Sequence, residues 1–152
     1  MLKRIHHAGV GVRDPEMMEK MLHFYCDLLG FEVDGEQEYP EAAFVDQFVD
    51  VENAKLKVVH LCSPGAEGWW DGGVELCHYS SPEPGEWRGG TRQCDGGVIH
   101  LALVVENLME MHARLVEEGV RFNTEPLNTG GSIIVYMRDP DGNTVELMER
   151  LG

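Results

Sequence analysis

An internal duplication constrains this chain more than any other feature. Residues 5–12 read I-H-H-A-G-V-G-V and residues 98–105 read V-I-H-L-A-L-V-V. Each is a strand-like segment with histidine at its third position, and each leads into a helix start. In the first copy Asp14 is a good N-cap and Pro15 suits the first helical position. That helix is expected to reach about Leu29, with Met18, Leu22, Tyr25 and Leu29 on one face and Gly30 as a left-handed cap. In the second copy Asn107 is the expected N-cap, and Leu108, Met111 and Leu115 form the buried stripe of a helix over about 108–118, ended by Gly119. Strand material follows each helix: 31–33, about 42–49, 56–62 and 73–79, then 121–122, 133–138 and 143–149. Asp139-Pro140-Asp141-Gly142 is a tight turn that makes a hairpin of the last two strands. The halves also end alike, in Val74-Glu75-Leu76 and Val145-Glu146-Leu147. The fold class read from this pattern is α+β, with two βαβββ modules at 1–80 and 98–152 and a Gly- and Pro-rich linker at 81–97.

Strand side chains alternate between two faces. On the first strand Ala8, Val10 and Val12 share one face, and His7, Gly9 and Gly11 the other. In the second copy Ile99, Leu101, Leu103 and Val105 oppose His100 and Ala102. Val74 and Leu76 oppose Glu75, and Val145 and Leu147 oppose Glu146. Four times a bulky apolar face suited to packing on a helix backs a face with one ionisable group and small or polar neighbours. Two neutral imidazoles and two carboxylates in a partly dry cleft suit a divalent metal, because the two negative charges offset the +2 of the ion. His7, Glu75, His100 and Glu146 are therefore the candidate ligands. Imidazole plus carboxylate suits Ni, Co, Zn, Mn or Fe. The remaining histidines read as structural or exposed: His6 points to the face opposite His7, His23 and His112 are exposed on helices, and His78 lies on the apolar face. His60 could line the cleft. Cys77 and Tyr79 share the face of Glu75 as pocket wall. Trp69, Trp70 and Trp87 fall in Gly- and Pro-rich loops and could cover a pocket or only pack those loops.

The charge balance is 12 Lys+Arg against 27 Asp+Glu, or −15. Such a field repels phosphate backbones and anionic lipid, so nucleic acid and membrane are excluded as expected partners. No apolar stretch approaches the ~18 residues of a spanning helix. Four scattered cysteines without a C-x-x-C fit a reduced, cytoplasmic protein.

The segments I-H-H-A-G-V-G-V-R-D, F-Y-C-D-L-L-G-F-E-V and R-D-P-D-G-N-T-V-E-L-M-E resemble the vicinal oxygen chelate superfamily, which includes glyoxalase I, methylmalonyl-CoA epimerase, extradiol dioxygenases and bleomycin-binding proteins. The resemblance spans nearly the whole chain. It implies a curved, open mixed sheet around a metal, with ligands at His7, Glu75, His100 and Glu146, and a homodimer. It also implies an isomerase or lyase acting on a small oxygen-chelating substrate through a metal-stabilised enediolate, with Glu146 or Glu75 as the base. The alternatives are an iron-dependent extradiol-type dioxygenase and a non-catalytic small-molecule or antibiotic-binding protein. Glyoxalase I grips glutathione with an Arg four residues after the first ligand and an Asn four after the second; Gly11 and Tyr79 stand there. A general-base Glu of the epimerases corresponds only approximately to Glu52.

Overall fold

The computed structural model describes residues 1–41, 43–85, 93 and 99–152. The sequence expectations at Ala42, Trp87, Cys94 and Val98 lie outside these residues. The chain divides into two compact units, Met1–Trp87 and Arg88–Gly152.

The first unit runs β1 (His7–Gly11), α1 (Pro15–Leu22), β2 (Glu32–Tyr39), α2 (Ala43–Val49), β3 (Lys55–Cys62) and β4 (Gly73–Ser81). Its strands are ordered β1-β4-β3-β2, with β1 parallel to β4 and the other pairs antiparallel. The second unit runs β5 (His100–Val104), α3 (Leu108–Glu117), β6 (Arg121–Phe122), β7 (Leu127–Asn128), β8 (Ser132–Arg138) and β9 (Thr144–Arg150). Its order is β5-β9-β8-β6, again with the first and last strands parallel, and β7 pairs with β8. Each unit is an open mixed sheet in which the histidine strand lies beside the glutamate strand.

Local chemistry explains the first helix. Asp14 Oδ1 accepts a hydrogen bond from the Met17 amide at 2.7 Å, and Pro15 occupies the first turn. The helix then widens into a π-helical stretch, His23–Leu28, with the Leu29 amide donating to the Phe24 carbonyl at 3.1 Å. This widening slips the buried face relative to a 3.6-residue repeat. Met18, Met21, Phe24 and Tyr25 are consequently buried, whereas Leu22 and Leu29, expected on the core stripe, are only half-buried. Gly30, at φ 84°, makes the left-handed exit that a side chain would disfavour.

The segment read as a strand at 42–49 is helical from Ala43 to Val49. A short apolar run carries no decisive period; here Val45 and Val49 fall at helical spacing onto a core of Ala54, Leu56 and Val58. The Asp46 carboxylate accepts from the Asn53 and Ala54 amides at 2.9 and 2.8 Å, tying the helix to the start of β3. In the second unit Asn107 does not cap α3 with its own side chain, because its backbone is left-handed (φ 55°). The cap is instead the Glu149 carboxylate on β9, which accepts from the Asn107 and Leu108 amides at 3.0 and 2.9 Å. A negative group there also complements the positive helix end.

The apolar faces pack as the alternation requires. Val59, Leu61, Val74 and Leu76 are buried in the first unit, and Val135, Met137, Val145 and Leu147 in the second, with Leu108 and Leu115 of α3. His112, expected exposed, is buried and packs on Phe122 with ring centroids 4.3 Å apart. Its position four residues after Leu108 and three before Leu115 places it on the core stripe. The turn at Asp139–Gly142 is closed by the Gly142 amide on the Asp139 carbonyl at 2.9 Å. The Asp139 carboxylate also accepts from the backbone and side-chain amides of Asn143 at 2.8 and 2.9 Å.

Candidate metal centre

In the first unit the ladder register decides which side chains meet. Gly9 of β1 and His60 of β3 both stand opposite Glu75, while His7 pairs with Gly73. His7, His60 and Glu75 therefore share one face across three adjacent strands. His7 Nε2 lies 3.7 Å from Glu75 Oε2, and His60 Nε2 donates to Glu75 Oε1 at 3.2 Å. The Cys77 thiol donates to Glu75 Oε2 at 3.4 Å. Trp69 walls this cluster: its ring stacks on His60 at 4.3 Å with a 13° interplanar angle and lies 5.0 Å from His7. A Cβ on Gly9 or Gly11 would meet nothing within 4 Å, so the face in front of the cluster is open. The other end of the same face is covered by α2, through Leu56, Val58, Cys77 and Tyr79.

The second unit repeats the arrangement with one change. His100 Nε2 lies 3.1 Å from Glu146 Oε2. Tyr136 of β8 stands opposite Glu146, as His60 stands opposite Glu75. Its hydroxyl hydrogen-bonds the Glu146 carboxylate, and its ring meets His100 edge-on at 5.3 Å. The side chain of Glu146 is 11% exposed against 23% for Glu75. The duplicated carboxylate is thus held from one side by histidine and from the other by a residue of the neighbouring antiparallel strand.

The two carboxylates perturb the weak acids beside them. Burial, followed by the charge of Glu75 and the hydrogen bond to it, pushes the Cys77 thiol up to about 12. Cys77 is therefore held as the thiol that donates to the Glu75 carboxylate. Burial, then the charge and hydrogen bond of Glu146, likewise raises the Tyr136 phenol, keeping it a donor to the carboxylate. Tyr79 is raised by burial first, then by Cys77 and Glu75.

The donor chemistry fits a divalent ion. Metal–N and metal–O bonds of ~2.1 Å at right angles put two neighbouring ligands roughly 3 Å apart. The His100–Glu146 pair has this spacing, and the His7–Glu75 pair is somewhat wider. Glu75 lies beside His7 and His60, and Glu146 beside His100. No three His, Cys, Asp or Glu side chains among the described residues close on one metal position.

Placement of the remaining candidates follows from the strands. His60 joins the cluster, and its position directly across from Glu75 is the reason. His78 is buried on the apolar face and donates from Nδ1 to the Val12 carbonyl at 3.1 Å, a structural role. His23 is exposed and bonds Asp27 at 2.7 Å. His6 is turned toward His7, contrary to expectation, because β1 begins at His7 and alternation does not bind the residue before it. Glu52 is exposed in the turn after α2. Tyr136 escaped the sequence reading; counting back from the Asp139–Gly142 turn would have placed it opposite Glu146.

Comparison with known proteins agrees with this architecture. A family model described as the Glyoxalase/Bleomycin resistance protein/Dioxygenase superfamily matches residues 4–147. A probable lactoylglutathione lyase from Synechocystis sp. is 26% identical over 145 residues, covering 94% of this chain and 92% of the relative. An ethylmalonyl-CoA/methylmalonyl-CoA epimerase from Cereibacter sphaeroides is 23% identical over 146 residues, covering 94% and 93%. In structure, a glyoxalase family protein from Bacillus cereus superposes with a TM-score of 0.85 at 18% identity, over 100% of this chain and 97% of the other.

Proposed function

Because the chain belongs to the glyoxalase/bleomycin resistance protein/dioxygenase superfamily, we propose that it is a divalent-metal-dependent isomerase or lyase acting on a small oxygen-chelating substrate. The observation that carries this reading is the repetition of one His–carboxylate pair, His7–Glu75 and His100–Glu146, at the same strand positions of two modules. His7, Glu75, His100 and Glu146 are the proposed ligands of a nickel, cobalt, zinc, manganese or iron ion. A bound ion of this kind supplies Lewis acidity toward substrate oxygens. The chain's own residues supply the rest. Glu146 or Glu75 accepts a proton from the carbon beside a substrate carbonyl and returns it. Tyr136 and His60 orient these carboxylates through their hydrogen bonds. Trp69 and the open surface over Gly9 and Gly11 form the substrate's seat.

The substrate is smaller or less charged than a glutathione or CoA conjugate. Gly11 and Tyr79 offer no cation or amide of the kind that grips glutathione, and the charge of −15 repels polyanions. The protein works as a homodimer in the cytoplasm, a reducing setting that the free thiols of Cys26, Cys62 and Cys77 suit.

A second reading, which the superfamily description admits, is an iron-dependent ring-cleaving dioxygenase. Elemental analysis of anaerobically purified protein separates the readings. Nickel, cobalt or zinc with deuterium exchange into α-hydroxycarbonyl compounds in D₂O supports the isomerase or lyase. Iron with oxygen uptake on catechols supports the dioxygenase. Retention of bound metal and full exchange activity by His7→Ala or Glu146→Gln would refute the ligand assignment. Ligand binding without stoichiometric metal would point to a binding protein.

A further inference from the structure

We propose that His6 is a positioning residue that fixes the ring tautomer of His7; the inference rests on His7 being a metal ligand. His6 sits just before β1, and its backbone is pinned against β4. Its carbonyl accepts from the Gly73 amide at 3.2 Å, and a Cβ on Gly72 would lie only 2.7 Å from that oxygen. The ring is packed among three others: His7 at 5.1 Å, Trp69 at 5.0 Å and Trp70 at 5.2 Å between centroids. The Arg4 guanidinium donates to the Trp70 carbonyl, securing that wall.

The decisive contact is His6 Nδ1 to His7 Nδ1 at 2.8 Å. Two bare lone pairs cannot approach so closely, so one proton lies between the rings. Two assignments are open to a pair of neutral imidazoles. If His6 donated, its Nε2 would be a bare lone pair, and this atom is buried without a hydrogen-bond partner. His7 would then hold its own proton on Nε2, facing Glu75 across 3.7 Å, too far for a hydrogen bond. If His7 donates, His6 Nε2 instead carries a hydrogen among aromatic rings, where an N–H···π contact is available. His7 then keeps a bare Nε2 on the Glu75 side, the form that a metal requires. Only the second assignment leaves His7 Nε2 free to bind a metal, so a ligand role for His7 makes His7 Nδ1 the donor and His6 Nδ1 the acceptor. Outer-shell acceptors of this kind orient ligand histidines and raise their basicity.

The duplication supplies an internal contrast. Ile99 stands before His100 where His6 stands before His7, and it is exposed and cannot accept a hydrogen bond. The dependence is therefore confined to the first module.

The test uses the full chain and zinc as the probe. Long-range ¹H–¹⁵N correlation spectra of the zinc-free protein at pH 8 should find the His7 proton on Nδ1. Zinc titration by calorimetry should give His6→Phe an affinity about 10–100-fold below the parent. His6→Asn, whose amide oxygen can accept near the place of Nδ1, should recover most of that loss, and Ile99→Ala should bind as the parent does. A His7 proton found on Nε2 overturns the proposal whether or not the Phe variant folds. So does parent-like zinc affinity in a folded His6→Phe. If His7→Ala binds zinc as tightly as the parent, the ligand assignment itself fails, an outcome distinct from the other two.

Discussion

Gly73→Ala is the sharpest test of how the fold places the first His–Glu pair. A Cβ at this position would lie 1.8 Å from the Leu61 carbonyl oxygen, 2.9 Å from its carbon and 3.0 Å from the Cys62 Cα. All three are backbone atoms, so no side chain can swing away. To reach even the 3.0 Å floor of real Cβ contacts, the start of β4 must recede from β3 by at least 3.0 − 1.8 = 1.2 Å. Gly73 pairs with His7 on one side and Cys62 on the other, so the shift strains both ladders. Overpacking of this kind costs about 1–3 kcal/mol, and one weakened backbone hydrogen bond adds about 1 kcal/mol. We expect a loss of about 3 kcal/mol in urea denaturation. For a chain of this size that corresponds to a fall in Tm of roughly 6–12 °C. Glu75 is two residues further along β4, and its 3.2 Å contact with His60 should open as the strand moves. Metal affinity should therefore fall together with stability. Gly9→Ala and Gly11→Ala, with nothing within 4 Å of the added methyl, should stay within about 0.5 kcal/mol of the parent. A Gly73→Ala protein within 1 kcal/mol of the parent would refute the close approach of β3 and β4 on which this account of the site depends.

Three further outcomes are expected. Glu149→Ala should cost about 1–2 kcal/mol in chemical denaturation, because two amides at the start of α3 lose their acceptor. His78→Phe should cost about 1–3 kcal/mol by leaving the Val12 carbonyl without its buried donor, and an unchanged midpoint would argue against that contact. Cys77 should alkylate with iodoacetamide at pH 8 about a thousandfold more slowly than an ordinary thiol, since a pKa of about 12 leaves little thiolate. Its reaction should accelerate as pH rises toward 12. Glu75→Gln, which removes the neighbouring negative charge, should speed it, and peptide mapping by mass spectrometry measures both.

The strand faces were legible because alternation is a local property. His7, Glu75, His100 and Glu146 each stand on the small-residue face of an amphipathic strand, and the structure keeps each of them there. The repeated His-strand and Val-Glu-Leu segments carried the module order. The run at 42–49 was misread because seven or eight apolar-rich residues serve a strand or a helix equally well; packing of Val45 and Val49 on β3 settles the matter. The π-helical widening at His23–Leu28 left no period to read, so Met21 and Phe24 rather than Leu22 fill the core.

What the sequence determined by itself is the α+β class, the repeated order of a histidine strand, a helix and a later glutamate strand, and the strand faces on which His7, Glu75, His100 and Glu146 stand, since repeats and side-chain alternation are properties of the covalent chain. Tertiary structure alone decided their surroundings. The register between β3 and β4 is set across a long connection, not a tight turn, and it puts His60 on Glu75. The cap of α3 comes from Glu149, 41 residues beyond the amide of Leu108. Trp69 and Trp70 close on His6 through a loop whose path no local preference encodes. Contacts between residues far apart in sequence depend on how whole elements pack, and it is these contacts that set the surroundings of His7 and Glu75.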